Sequence, residues 1–205
     1  MPKKPSSLAK GFSSKLALLE ATRERAEALL ITGHLSVDDV EQVYAGLFLD
    51  AFTEFEAVVE NLFVGLFSGT HKSSLPTVRR LFRVLPATKA RDVVFEGKSY
   101  ADWLPFPEYT IPRAKRFLHE GEPFSLLDEN EKGILKKYHL LRNAVAHKSA
   151  TARTKFEAVI GNPALTPREK TPKGYLRVLP AGPGGLTQYQ IAVAELLTIA
   201  NKLCQ

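Results

Sequence analysis

SVDDVEQVYAGLFLDAFTEFEAVVENLFVGLFSG, residues 36–69, decides the fold class. Val40, Val43, Tyr44, Leu47, Phe48, Ala51, Phe55, Val58, Val59, Leu62, Phe63, Leu66 and Phe67 recur at three- and four-residue spacing, the period of one helix face. Ser36 is placed to cap the helix, with Asp38 and Asp39 in the first turn where the helix dipole favours acids. Ser68-Gly69 ends a helix of about 30 residues. With Phe52 counted, its stripe carries five phenylalanines, and a face this broad packs on more than one neighbour. Either a central core helix or a dimer interface fits.

On the N-terminal side, Leu16, Leu19, Arg23, Ala26 and Leu30 predict a helix over 13–32, stopped by Gly33. On the C-terminal side the pattern is irregular. A short basic helix is expected around Thr77–Leu85, then a small extended element at Val93-Val94-Phe95-Glu96-Gly97-Lys98. Trp103-Leu104-Pro105-Phe106-Pro107 breaks any helix, and another runs from about Pro112 to His119. Ser125 or Asp128 caps a helix from about 127 to 148, whose apolar face is Ile134, Leu135, Tyr138, Leu141 and Val145. Phe156–Ile160 prolongs the helical structure, 161–174 is a polar connection, and Tyr175-Leu176-Arg177-Val178-Leu179 reads as a short strand or extended segment. Gly182-Pro183-Gly184-Gly185 is a turn, and Thr187 caps a last helix reaching Lys202. The expected fold is mostly α: one domain over 1–205, with a helical-bundle core at about 13–150, irregular insertions, a short β element, and an extension with a final helix at 151–205.

At 205 residues and 44% hydrophobic, the chain can bury a full core. Cys204 is the single cysteine, so neither an intrachain disulfide nor a cysteine-based metal site is expected. No apolar run approaches the ~20 residues of a membrane span, and Met1-Pro2-Lys3-Lys4-Pro5-Ser6-Ser7 has no apolar core behind it. A soluble, cytoplasmic protein is expected. The net charge of +6 fits a polyanionic partner, and its distribution is segregated. Residues 35–69 hold seven acids and no Lys or Arg, whereas 132–155 hold seven Lys or Arg and no acid.

The basic block 132–155 contains Arg142-Asn143-Ala144-Val145-Ala146-His147. Residues five apart on a helix are about 140° out of phase, so Arg142 and His147 do not share a face, while Asn143 and His147 do. Arginine can grip a phosphate with two parallel hydrogen bonds. Histidine, with an ordinary pKa near ~6.5, exchanges protons at neutral pH. A 2′-hydroxyl beside a phosphodiester supplies its own nucleophile, so RNA cleavage needs only proton removal, charge stabilisation and protonation of the leaving oxygen. One histidine cannot comfortably do all of this, but two copies across a two-fold axis could. A basic residue and a histidine also suit any helix C-terminus through the dipole.

This motif, late in a helix of a small basic α-helical chain, resembles the HEPN superfamily, whose signature is Arg, a polar residue, a few residues and His. The acidic-aromatic helix around Phe52-Thr53-Glu54-Phe55-Glu56-Ala57-Val58-Val59-Glu60 is similar to the long early helix of its ribonuclease members. The resemblance covers roughly 36–150. It implies an α-helical bundle that dimerises and pools two Arg/His sets into one cleft, in metal-independent endoribonucleases of toxin–antitoxin, antiphage or RNA-processing systems. By position, Arg142 would bind the scissile phosphate, His147 would be the acid/base and Asn143 the supporting polar residue. The resemblance carries no cofactor and no metal. HEPN toxins silenced by a nucleotidyltransferase partner have a tyrosine two residues after the histidine; Ser149 stands there, so that control is not expected.

The remaining histidines, His34, His71, His119 and His139, lack metal-ligand spacing. His139 could line the motif's cleft but reads better as a surface or dimer-contact residue. Glu54 or Glu60 is a candidate to orient Arg142. Arg79, Arg80 and Arg83, close together on the expected basic helix, with Lys136 and Lys148 beside the motif, are the expected RNA-binding residues. The leading reading is a homodimeric, metal-independent endoribonuclease leaving a 2′,3′-cyclic phosphate, a toxin or antiphage effector with an antitoxin or defence-system partner. The alternatives are a non-catalytic HEPN module that binds nucleotide or RNA or mediates protein contacts, and a helical interaction protein in which 142–147 is only a helix end.

Overall fold

The computed structural model describes residues 2–83, 85–147, 149–161 and 164–205. Among the described residues the fold is mostly α, with eight α-helices and no strand. They are α1 (Ser6–Ile31), α2 (Val37–Ser68), α3 (Ala87–Val94), α4 (Ile111–Phe117), α5 (Glu129–Ala146), α6 (Ala150–Ile160), α7 (Pro172–Arg177) and α8 (Gln188–Leu203). The expected short β element is absent; extended pairing is confined to isolated bridges, Lys3 with His71 and Arg80 with Leu118. Among the described residues no helix is long and apolar enough to cross a membrane.

The chain condenses into two compact units, each discontinuous in sequence. Unit 1 comprises Met1–Ser13, Phe55–Lys136 and Leu197–Gln205; unit 2 comprises Ser14–Glu54 and Lys137–Leu196. The boundaries fall inside α1, α2, α5 and α8.

Reciprocal side-chain caps start three helices. Before α2, Ser36 Oγ accepts from Asp39 N at 3.2 Å and Asp39 Oδ2 accepts from Ser36 N at 2.9 Å. Asp128, the second of the two expected caps, does the same with Glu131 before α5, at 2.8 and 2.7 Å. Thr187 and Gln190 repeat it before α8. Each such pair satisfies amide groups the helix leaves orphaned. The broad stripe of α2 is buried within the chain, from Val40 and Tyr44 to Phe63 and Phe67, so α2 is a core helix.

In unit 1, Phe63 is fully buried and is the hub of an aromatic cluster. It stacks on Phe124 at 5.2 Å between ring centres, and meets Trp103 at 5.3 Å and Phe117 at 6.1 Å. In unit 2, Tyr44 packs edge-on to Tyr189 at 5.6 Å and Phe48 edge-on to Tyr138 at 6.2 Å. The Tyr44 hydroxyl donates to Glu27 at 2.8 Å, and Arg177 donates to both oxygens of the same carboxylate, at 3.0 and 2.9 Å.

Four local expectations are corrected. Residues 77–83 and 85, the described part of the expected basic helix, are turn and irregular chain. Their backbone groups pair elsewhere, Leu81 N with Phe117 O at 3.0 Å and His119 N with Arg79 O at 2.8 Å. Val93-Val94 closes α3, and Gly97, at φ 75°, ends the turn that follows. Residues 172–177 form α7, not a strand, because Thr171 Oγ1 accepts from Gly174 N and Pro172 occupies the first turn. The motif helix stops at Ala146, because Ser149 adopts extended backbone and caps α6, accepting from Ala152 N at 3.2 Å.

Candidate functional site

Helix α5 presents the motif because its apolar side is pinned in unit 2. Tyr138 and Leu141 are buried, and the Tyr138 hydroxyl donates to Glu195 of α8. Burial and that carboxylate hold the phenol far above the ordinary tyrosine range, so it stays a neutral donor. With 138 and 141 inward, His139, Arg142 and Asn143 emerge half-exposed.

These three side chains form a row. Arg142 Nη1 donates to Asn143 Oδ1 at 3.1 Å, and Asn143 Nδ2 lies 3.0 Å from His139 Nε2. A guanidinium has no acceptor, so the amide must turn its oxygen to Arg142 and its NH2 to His139. His139 Nε2 is then the acceptor, and the neutral ring carries its proton on Nδ1. Protonating Nε2 would set two donors face to face and break the row.

The expected Asn143–His147 pairing is therefore corrected. Asn143 uses its amide on the residue four before it, and His147 stands just past the helix end with its ring exposed. Its backbone N–H still closes the last turn on Asn143 O at 2.9 Å. The spacing His139–Asn143 was as visible in the sequence as Asn143–His147, but no periodicity says which neighbour an amide will choose.

The suggested acidic partners of Arg142 are engaged elsewhere. Glu60 takes Arg91 at 2.6 Å and accepts from Trp103 Nε1 at 3.3 Å, and Glu54 lies 3.9 Å from Lys15. Among the described residues, no carboxylate pairs with Arg142. Among the described residues, the side chain that holds it is a neutral amide, which leaves its charge intact.

Against known proteins, no family model, no curated protein and no solved structure matches this chain.

The expected RNA-binding residues fall into separate groups. Arg79, Arg80, Arg83 and Lys136 belong to unit 1, whereas the motif belongs to unit 2. Lys148 lies outside the described residues. Arg79, Arg80 and Arg83 do not share a helix face; their segment curves round a cavity of about 560 Å3 that also takes in His71, Lys72 and Phe82. Sequence reading missed the last three, because the cavity depends on residue 80 pairing with residue 118, a link no local pattern announces. Among the described residues no group of three or more His, Cys, Asp or Glu is arranged to hold a metal.

Proposed function

We propose that the chain is a metal-independent endoribonuclease of the HEPN type, acting as a homodimer with a composite Arg/His site. One observation carries this reading: Arg142, free of any carboxylate among the described residues, is held by Asn143, which is held by His139, and His147 is exposed just past the end of the same helix. A guanidinium positioned by a neutral amide keeps its full charge for a phosphate.

In this mechanism Arg142 grips the non-bridging oxygens of the scissile phosphate, and His147 takes the 2′-hydroxyl proton. The 2′ oxygen attacks phosphorus as the P–O5′ bond breaks. The departing 5′ oxygen takes its proton from the histidine of the second copy. The products are a 2′,3′-cyclic phosphate and a 5′-hydroxyl, and no metal enters. Asn143 and His139 are positioning residues, acting on Arg142 through the row. RNA and a second copy are the partners, the cytoplasm is the setting, and the activity is that of a toxin or antiphage effector governed by an antitoxin or defence-system protein.

The test is incubation with labelled structured and single-stranded RNA in EDTA, beside His147→Ala. Cutting that survives EDTA and disappears in the variant, with cyclic phosphate ends, supports the reading. Cutting by the variant at the wild-type rate refutes it, and RNA binding without cutting replaces it with a binding module.

A further inference from the structure

The cavity of about 560 Å3 in unit 1 has a wall with no acidic residue, and with Lys72, Arg79, Arg80 and Arg83 around it. All four cations are exposed, and none pairs with a carboxylate among the described residues. Elsewhere arginines do pair: Arg23 with Glu20, Arg91 with Glu60, Arg116 with Glu96, Arg153 with Glu157, Arg177 with Glu27, and Arg168 with both Asp38 and Glu41. Like charges gathered around one concavity repel, a cost an anion in the middle reverses.

The wall is built to hold these groups. Gly69 sits at φ +73°, and a Cβ there would lie 2.1 Å from Arg80 Nη1, so the guanidinium occupies the space of a side chain. A Cβ on Gly65 would lie 2.0 Å from His71 Nδ1. The Arg80 backbone is fixed by its bridge to Leu118, and Arg79 Nε donates to Pro76 O at 3.3 Å. Burial and the charge of Lys3 hold His71 below the ordinary histidine range, so it adds hydrogen-bonding capacity without a fifth charge.

Phe82 adds a different chemistry. Its ring is 59% exposed at the cavity wall and edge-on to Phe117 at 6.5 Å. An aromatic face left this open suits a flat ring stacked upon it. The volume lies within the roughly 300–1,000 Å3 of small-molecule sites.

We propose that this cavity binds a phosphorylated small molecule carrying a flat ring, a nucleoside di- or triphosphate, with its phosphates on Lys72, Arg79, Arg80 and Arg83 and its ring on Phe82. The site uses no residue of the 142–147 motif and does not depend on the ribonuclease reading.

Calorimetry on the full chain tests it with inorganic tripolyphosphate, ATP and a short single-stranded RNA as three arms. ATP is expected to bind about tenfold more tightly than tripolyphosphate, the share that stacking supplies. The double variant Arg80→Gln, Arg83→Gln should weaken both by at least about tenfold. Phe82→Ala should bring ATP down to the level of tripolyphosphate and leave the latter unchanged. Gly69→Ala, which displaces Arg80 without removing charge, should also weaken both, and melting curves confirm that each variant is folded. No binding of either small ligand by the wild type at about 1 mM overturns the proposal. So does unchanged affinity in the folded double variant. RNA binding with neither small ligand bound overturns it in favour of a strand-binding track.

Discussion

Replacing Asn143 by alanine removes both bonds of the row at once. Arg142 loses its 3.1 Å acceptor and His139 its 3.0 Å donor, and both stand half-exposed, so water replaces much of what is lost. A hydrogen bond in that setting is worth about 0.5–1.5 kcal/mol net, so Arg142 gives up about 1 kcal/mol of orientation. Since about 1.4 kcal/mol is tenfold in rate, Asn143→Ala should cut RNA about five- to tenfold more slowly. In the proposed mechanism His147→Ala removes the proton-transfer group itself and should lose about 10²–10⁴. His139→Ala should cost no more than Asn143→Ala, and the double variant no more than Asn143→Ala alone, because within the row His139 reaches Arg142 through the amide. Single-turnover cleavage in EDTA measures these rates, with melting curves to show that the variants fold. Nitrogen-detected NMR of the imidazole reads the row without any activity: the proton should sit on Nδ1 of His139 in the wild type and distribute over both nitrogens in Asn143→Ala. Additive losses, or a wild-type ring protonated on Nε2, would refute the row.

Two further outcomes concern the scaffold. Phe63→Ala empties the centre of the aromatic cluster, whose rings at 5.2 and 5.3 Å belong to separate segments of unit 1; it should destabilise the protein by about 3–5 kcal/mol in urea unfolding, and a loss under about 1 kcal/mol would mean the cluster collapses around the gap. Burial raises the Glu27 carboxyl, but bonds from Arg177 and Tyr44, with the charges of Arg177 and Arg23, outweigh it and leave Glu27 below its usual 4.5. A depressed carboxyl stabilises above its unfolded value and loses that contribution as pH falls through the folded one, so the stability gap between wild type and Glu27→Gln should be full at neutral pH and shrink below about 4.5. A gap independent of pH would show that the Arg177 bonds do not carry it.

Long-period features were legible in the sequence, and pairings between distant segments were not. Helix α2 could be read because Val40 to Phe67 repeats one face over eight turns' worth of chain with a cap at Ser36. The motif helix could be read for the same reason, to within two residues at each end. The misreadings share a cause. Val93-Val94-Phe95 and Tyr175–Leu179 have strand-like composition, and β-propensity measures fit to a half-buried sheet rather than a backbone preference; with no sheet to join, Val93-Val94 became the end of α3 and residues 175–177 the end of α7. Arg79 to Arg83 looked helical by charge spacing, but residues 117–119 supplied an edge to pair with. The row at α5 was half legible, since spacing brought His139, Asn143 and His147 onto one stripe without choosing the partner.

An unpaired arginine means little by itself in this chain. With 28 Lys and Arg against 22 Asp and Glu, some cations must go without a carboxylate however the chain folds. Arrangement is the informative part. Asp38, Glu41, Glu54 and Glu60 of α2 pair with Arg168, Lys15 and Arg91, from segments distant in sequence, so the fold brings counter-charges to these acids. Among the described residues, Lys72, Arg79, Arg80 and Arg83 surround one cavity without such a counter-charge, and the side chain fixing Arg142 is a neutral amide that leaves its charge intact. Scattered surplus charge would have been surface solubility. Surplus charge concentrated at a concavity, and again at a guanidinium held by a neutral amide, supports the two phosphate-binding proposals.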